Sequence, residues 1–316
     1  MAQEQQLQPW WPSDWTSKSA WLESAHRAAR VLRRDVAHAT PQQLRQAIDV
    51  ASLLNPGPWG GDYSEVTCPE WSGAEVTWKE RSEGTVVWVH GGAFAFGSPR
   101  VYRAAAVHLA RASRCQVLLP SYRLAPEHPF PAAHDDVFQA LESILSEGDE
   151  VVIVGDSAGG NLVLGALQKM SRQGDLSNVA GVALLSPWCD LRKEAESIRH
   201  NDVSHSPFDS EDSLAYSRQY LAGHPADDPL VSPILMKGSL PWPPVYMEWA
   251  EDEFLAPDVQ LLRDQIRAAQ PDFRQRTEPA AVHGWQTLPD VLPEGKRSSE
   301  ALGAWVREKL GLPALR

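Results

Sequence analysis

The sequence predicts an α/β fold built on a mostly parallel, doubly wound sheet. From about residue 85 onward, short apolar runs of strand length alternate with stretches of helical periodicity. The clearest unit is the β-branched run over 151–154, which is followed by a sharp Gly-Asp-Ser-Ala-Gly turn and a helical pattern over 161–170. Repetition of this unit indicates parallel strands with helices on both faces of the sheet.

Residues 1–55 contain no strand pattern and predict a helical preface. A basic stretch over 25–38 has helical period, and Thr40-Pro41 predicts the N-cap and first residue of a second helix that ends near residue 54. Because this preface lacks a core of its own, we expect it to pack on the rest of the chain. Its first tryptophans are Trp10, Trp11, Trp15 and Trp21.

The remaining elements follow from the periodicity of the apolar residues. The final helix carries an apolar stripe, which we expect to pack on the core. The alternative is that the stripe forms the contact surface of a homodimer. Strands are predicted around 76–78 and over 86–90, 116–120, 151–154, 179–185, 245–249 and 273–277. Helices are predicted over 101–113, 134–146, 161–170, 258–269 and 297–310.

A polar stretch over 189–226 interrupts the alternation of strands and helices. It is rich in Ser, His and Asp and contains a helical piece near 213–221. An insertion after a sheet strand would lie over the carboxyl ends of the strands, where ligands bind in such sheets. We therefore expect one catalytic domain over 1–316, with a helical cap formed by about 1–55 and about 189–226.

Composition and charge narrow the class of protein. Of the 316 residues, 43% are hydrophobic and 22% charged, and the net charge is −12. The negative charge argues against nucleic acid and anionic membrane surfaces as partners, and no apolar run is long enough to span a membrane. The N-terminus lacks a signal-peptide pattern, and Cys68, Cys115 and Cys189 share no metal-like spacing. These features predict a cytoplasmic protein without a metal site.

Ser157 is the candidate nucleophile. The pattern Gly155-Asp156-Ser157-Ala158-Gly159 lies between a predicted strand and a predicted helix, which is the context in which G-x-S-x-G forms a nucleophile-bearing turn. Glycines on both sides allow a turn so tight that the serine takes an uncommon backbone conformation. The N-terminus of the following helix favours negative charge that develops beside the serine.

A serine hydroxyl needs a base, and in folds of this shape the base follows the nucleophile and the acid in the chain. Only His283 follows a later core strand and helix, because His200, His205 and His224 lie in or near the polar insertion. We therefore predict His283 as general base and acid. The partner carboxylate belongs after the strand over 245–249, in the sequence Ala250-Glu251-Asp252-Glu253-Phe254-Leu255. Spacing alone does not choose among these acids.

The segment from His90 to Ser98 follows another strand and is rich in small residues. Small residues let backbone N–H groups approach a ligand closely, so this segment and the N–H of Ala158 are candidates for binding an oxyanion. His90 precedes the nucleophile in the chain, and we expect it to be a structural hydrogen-bonding residue and not a base.

These motifs together resemble the hormone-sensitive-lipase-like branch of the α/β-hydrolases, which includes many carboxylesterases. The resemblance covers about residues 85–285. The matching segments are His90-Gly91-Gly92, the run from Tyr122 to Ala133, the run from Gly155 to Asn161, Ser186-Pro187-Trp188, the run from Asp228 to Pro233, and His283-Gly284-Trp285.

The resemblance implies an α/β-hydrolase fold with an eight-stranded sheet, a helical cap, and neither metal nor cofactor. It assigns the oxyanion donors as the backbone N–H groups of Gly92, Ala93 and Ala158, although the family usually has a third glycine where this chain has Ala93. Alignment of Ala250 and Leu255 with the family's acid motif puts Glu253 in the place of the acid, so the resemblance favours Glu253 over Asp252.

The sequence therefore predicts a serine hydrolase that cleaves carboxylic esters through an acyl-enzyme. The tryptophans, of which Trp188 and Trp285 are expected near the site, either line an apolar pocket for a bulky or aromatic small-molecule substrate or pack the cap on the core. We predict a substrate of that kind. The alternative is a non-hydrolytic relative on the same fold: a lyase, cyclase or transacylase of a secondary metabolite, or a small-molecule receptor.

Overall fold

The computed structural model describes residues 40–53, 57–79, 83–174, 176–199, 210–236, 240–279 and 281–315. The helix predicted over 25–38 and the four tryptophans of the first 21 residues lie outside the described residues. So does the segment 200–209 within the polar insertion.

A single mostly parallel sheet of eight strands forms the centre of the molecule, as predicted. The strands are β1 (Gly61–Thr67), β2 (Ser72–Trp78), β3 (Thr85–Val89), β4 (Gln116–Pro120), β5 (Val151–Asp156), β6 (Val179–Leu185), β7 (Val245–Ala250) and β8 (Phe273–Glu278). Their spatial order is β1-β2-β4-β3-β5-β6-β7-β8. Strand β2 runs antiparallel to β1 and β4, and the strands from β3 onward are parallel.

Helices connect the strands and cover both faces of the sheet. The described helices are α1 (Pro41–Leu53), α2 (Arg103–Ser113), α3 (Ala132–Leu145), α4 (Ala158–Gln173), α5 (Glu196–Arg199), α6 (Ser210–Leu221), α7 (Ala256–Ala269) and α8 (Pro293–Lys309). Helix α8 begins four residues before the predicted start at 297. Apart from Pro293, its first turn contains no apolar side chain, so the pattern of apolar residues could not reveal it.

The core explains why the central strands are continuously apolar. All six residues of β5 are buried, because helices lie over both faces of the sheet. Val151 and Ile153 contribute to one cluster, which includes α3, α4 and α7, while Val152 and Val154 contribute to the other. The second cluster includes the apolar stripe of α8, so this stripe packs on the core as expected.

The parallel strands bring several loops to one edge of the sheet. Strands β3, β5, β7 and β8 are parallel, so their carboxyl ends lie at the same edge. Each of the predicted site residues follows one of these strands. Ile48 of α1 and Tyr216 of α6 reach a cavity at the same edge. The two helices belong to the two segments from which we predicted a cap, whose full extent remains a prediction.

Candidate active site

Ser157 occupies a strained turn between β5 and α4. Its backbone dihedral angles are φ 50° and ψ −119°, a region that disfavours any residue with a Cβ atom. Backbone hydrogen bonds hold it from both sides: the Ser157 N–H donates to Leu185 O (2.9 Å), and the Trp188 N–H donates to Ser157 O (2.9 Å). The turn also requires Gly159, since a Cβ atom there would lie 2.1 Å from Val89 O. The predicted sharp turn is therefore present.

Three side chains from distant parts of the chain form one line of hydrogen bonds. His283 Nε2 lies 2.9 Å from Ser157 Oγ, and His283 Nδ1 lies 2.8 Å from Glu253 Oε2. Because a carboxylate only accepts hydrogen bonds, Nδ1 carries the proton when the ring is neutral, and Nε2 is left to accept the Ser157 hydroxyl. The arrangement leaves the serine hydroxyl beside a nitrogen that can take its proton.

Of the two acids weighed by the resemblance, Glu253 and Asp252, only Glu253 contacts His283. Its carboxylate is fully buried, whereas Asp252 is exposed. The turn after β7 accounts for the difference, because the Glu253 N–H donates to Ala250 O (3.4 Å) and the Ala256 N–H donates to Glu253 O (3.1 Å). These bonds curl the chain so that residue 253 faces the protein interior.

Glu253 sets the protonation behaviour of His283. Burial of the ring disfavours the imidazolium and by itself lowers the pKa of His283. The hydrogen bond and negative charge of Glu253, with a smaller contribution from the charge of Asp156, outweigh burial and raise this pKa above 6.5.

The raised pKa of His283 predicts how kcat/KM changes with pH on the acidic side, or acidic limb, of the profile. In its predicted role as base, His283 accepts a proton only when the ring is neutral, so kcat/KM should fall as the pH falls through the raised pKa of His283. In Glu253→Gln the carboxylate's contribution is lost while burial remains, so the limb should move to lower pH. Initial rates of ester hydrolysis across pH 5–9 measure the shift, and an unmoved limb would contradict the role of Glu253.

The predicted oxyanion donors lie around the same serine. Gly92 and Ala93 line the cavity together with Ser157, and Ala158 is the first residue of α4. Within the described part of the chain, the N–H groups of Gly92 and Ala93 donate to no protein acceptor, and the first N–H groups of a helix have no acceptor within it. Ala93 has φ 50°, a left-handed conformation that favours glycine.

Asp156 is a site residue that the sequence reasoning missed. Its buried carboxylate accepts hydrogen bonds from Trp88 Nε1 (2.9 Å), the Gly91 N–H (3.1 Å) and the Tyr102 hydroxyl (2.6 Å). Burial raises its pKa to about 6, although hydrogen bonds from Tyr102, Trp88 and Gly91 act in the opposite direction. Asp156 thus ties Gly91, near the start of the segment from His90 to Ser98, to the turn that carries Ser157. Its place inside the G-x-S-x-G pattern was the available signal.

His90 has the structural role that we expected from its position. Its Nδ1 lies 2.8 Å from Gly91 O, and its ring stacks on Tyr122 with centroids 4.2 Å apart. Burial lowers the pKa of His90 to about 4, which keeps the ring neutral.

A mostly apolar cavity opens beside the Ser157 hydroxyl. The described residues enclose a volume of about 210 Å³. Its aromatic walls are Phe96, Tyr102, Trp188, Tyr216 and Phe254. Trp188 lies where we expected it, but Trp285 does not line the cavity. It is fully buried in a small cluster with Ala250, Ala281, Val282 and Leu292.

The described residues contain no group of three or more His, Cys, Asp or Glu side chains that could hold a metal ion. Among the described helices, none is long and apolar enough to cross a membrane.

Comparisons with known proteins identify the family to which the chain belongs. Residues 86–287 match the family described as alpha/beta hydrolase fold. An acetyl-hydrolase from Streptomyces hygroscopicus is 34% identical over 243 residues, which cover 75% of this chain and 80% of the relative. An esterase from Acinetobacter venetianus is 28% identical, with 82% of this chain and 86% of the relative covered.

A solved structure extends the likeness to the whole fold. The crystal structure of an esterase from the bacterial hormone-sensitive lipase family superimposes with a TM-score of 0.85 and 28% sequence identity, covering 93% of this chain and all of that one. The chain belongs to the α/β-hydrolase family. Within that family it is a hormone-sensitive-lipase-like enzyme of the carboxylesterase type.

Proposed function

We propose that this enzyme cleaves carboxylic esters with a triad of Ser157, His283 and Glu253 through an acyl-enzyme. The observation that supports the proposal is the continuous line of hydrogen bonds from Ser157 Oγ through the His283 ring to buried Glu253. In an esterase this line supplies a nucleophile, a base and a group that fixes the orientation of the base.

In the first half of the reaction Ser157 Oγ attacks the ester carbonyl carbon. His283 Nε2 takes the hydroxyl proton as the bond forms, and Glu253 stabilises the resulting imidazolium through Nδ1–H. The imidazolium then donates that proton to the departing alkoxide oxygen, the C–O bond breaks, and the alcohol leaves. The acyl group remains bonded to Ser157.

In the second half water takes the place of the alcohol. His283 accepts a proton from water, whose oxygen attacks the acyl carbon, and the same proton returns to Ser157 Oγ as the acid leaves. The enzyme ends in the state in which it started, so the cycle requires neither a metal nor a cofactor.

Both halves pass through a tetrahedral oxyanion, for which we propose the N–H groups of Gly92, Ala93 and Ala158 as donors. Their position around Ser157, and the absence of acceptors for them among the described residues, support this role. One such donor typically contributes about 3 kcal/mol to transition-state stabilisation. The methyl group of Ala93 also narrows the acyl side of the site relative to glycine.

The substrate we propose is an ester of a bulky or aromatic small molecule. Aromatic walls around the cavity support an apolar group beside Ser157, and about 210 Å³ suits one end of such a molecule. The relative named acetyl-hydrolase supports a small acyl group, in which case the bulky part is the alcohol. A cytoplasmic location is part of the proposal and is supported by Cys68, Cys115 and Cys189 as free thiols.

Hydrolysis of p-nitrophenyl acetate with analysis of both products tests the reaction class. We expect one acid and one alcohol for each ester consumed, and inhibition by a fluorophosphonate that reacts with Ser157. Products of elimination or cyclisation, or acyl transfer to an acceptor other than water, would contradict hydrolysis. A protein that binds the ester without turnover would instead be a receptor.

A further inference from the structure

A buried charge cluster lies beneath the loop that carries His283. We use this name for Tyr246, Glu248, Arg276, Glu278 and Ser298. Glu248 of β7 and Arg276 of β8 are directly opposite in the register of the two strands and form an ion pair. The Glu248 side chain is fully buried, and it also accepts hydrogen bonds from the Tyr246 hydroxyl (3.1 Å) and Ser298 Oγ (2.8 Å).

Arg276 is held on two sides by carboxylates. One terminal nitrogen bonds Glu248, and Nη2 lies 3.0 Å from Glu278 Oε2. A guanidinium is planar and rigid, so two carboxylate partners fix the plane of the group as well as its position. A buried ion pair adds little net stability compared with apolar packing. The main effect of the cluster is therefore the fixed geometry of the Arg276 guanidinium, not added stability of the fold.

The fixed guanidinium lies against Trp285. The Arg276 Cζ atom is 5.2 Å from the centre of the indole ring, within the range of a cation–π contact. The ring is fully buried, and Trp285 Nε1 has no hydrogen-bond partner among the described residues. Packing and the guanidinium, not a hydrogen bond, therefore orient this ring.

Trp285 is two residues from the proposed base, and the turn between them is tight. The Trp285 N–H donates to Val282 O (3.2 Å), and the Thr287 N–H donates to Gly284 O (2.9 Å). These bonds couple the backbone on both sides of His283 to the position of Trp285. A displacement of the indole ring would consequently displace the imidazole.

We propose that Arg276 is a positioning residue that acts through Trp285 and holds His283 between Ser157 and Glu253. The inference rests on the proposed function, because it assigns a cause to the geometry of the base. His283 makes hydrogen bonds of 2.9 and 2.8 Å to its two partners, and both must be kept for proton transfer. Misplacement of a reacting group by about 1 Å costs about 100-fold in rate.

The test compares Arg276→Met with Arg274→Met on p-nitrophenyl butyrate. Arg274 is the matched control, since it lies on the same strand and also pairs with a carboxylate, Glu308 (2.9 Å), but is exposed. For Arg276→Met we expect kcat to fall by about 10- to 100-fold with KM unchanged. Fluorophosphonate labelling of Ser157 should slow by a similar factor. Arg274→Met should leave both rates at the wild-type value, and Arg276→Lys should restore part of the loss.

Two further variants distinguish the loss of the positioning role of Arg276 from the destabilisation caused by leaving Glu248 without its partner. In Glu248→Gln/Arg276→Met the fully buried carboxylate opposite the lost arginine is neutralised as well, so folding should recover while kcat stays low. Recovery of kcat in this variant would overturn the proposal. Trp285→Leu, with the cluster intact, should lower kcat as Arg276→Met does, and wild-type kcat in Trp285→Leu would also overturn it.

Ser157→Ala, assayed in parallel, distinguishes failure of the inference from failure of the proposed function. If Ser157→Ala is inactive while Arg276→Met keeps wild-type kcat and labelling rate, only the positioning role is lost. Full activity in Ser157→Ala would remove the esterase mechanism itself.

Discussion

Replacement of Ser157 with alanine is expected to lower kcat on p-nitrophenyl butyrate by about a million-fold. The change removes the atom that forms the acyl-enzyme, and His283 is left without the hydroxyl that lies 2.9 Å from its Nε2. The backbone bonds of residue 157 to Leu185 and Trp188 do not involve the side chain, so the fold should persist. Circular dichroism and thermal unfolding of the purified variant check the second expectation.

Ser157→Gly is the matched control, because it lacks the hydroxyl as Ser157→Ala does and differs from it only in having no Cβ atom. Glycine adopts φ 50° and ψ −119° without steric penalty, whereas alanine retains the strain of the native serine. We expect both variants to be inactive and the glycine variant to have the larger free energy of unfolding, by about 1 kcal/mol. An alanine variant as stable as the glycine variant would contradict the strain that we assign to this turn.

Glu253→Gln is expected to lower kcat by about 10,000-fold, the effect of the corresponding acid-to-amide change in other triads. Glutamine removes the charge that stabilises the imidazolium and presents an amide that can leave His283 in the wrong tautomer. Burial, which lowers the pKa of His283, would then act without the carboxylate that raises this pKa. Steady-state kinetics and the pH profile of the same variant measure both effects.

Asp252→Asn is the control for the acid, because it changes the neighbouring carboxylate in the same turn. Asp252 is exposed, so this variant should keep wild-type kcat and an unchanged pH profile. The opposite result, with Asp252→Asn inactive and Glu253→Gln active, would assign the acid to Asp252 and require the turn after β7 to rearrange in solution.

Local periodicity predicted most of the scaffold. The strand limits Gln116–Pro120 and Val179–Leu185 agree with the prediction, because buried parallel strands are continuous β-branched and apolar runs that end at polar residues or proline. Helix ends were less accurate, as at Pro293, since capping residues carry no apolar pattern. The antiparallel pairing of β2 with β4 depends on contacts far apart in the chain, which local patterns do not contain.

The candidate site was predictable where a motif fixes the backbone. The pattern around Ser157 and the chain order of His283 depend on strand ends, which the sequence makes visible. The choice between Glu253 and Asp252 depends on one turn, and only the fold shows which side chain faces inward. The burial of Trp285 against Arg276 was not predicted, because Arg276 lies in β8 and Trp285 in the turn over residues 285–287, and their contact leaves no local signal.

The most direct test of the central claim is mass spectrometry of the acyl-enzyme. The protein is mixed with excess p-nitrophenyl acetate, quenched in acid during turnover, digested and mapped. The account predicts the mass of one acetyl group on the peptide that contains Ser157, and no such adduct in Ser157→Ala. Steady hydrolysis by the wild type with no acetylated peptide, or with the acetyl group on another residue, would contradict it.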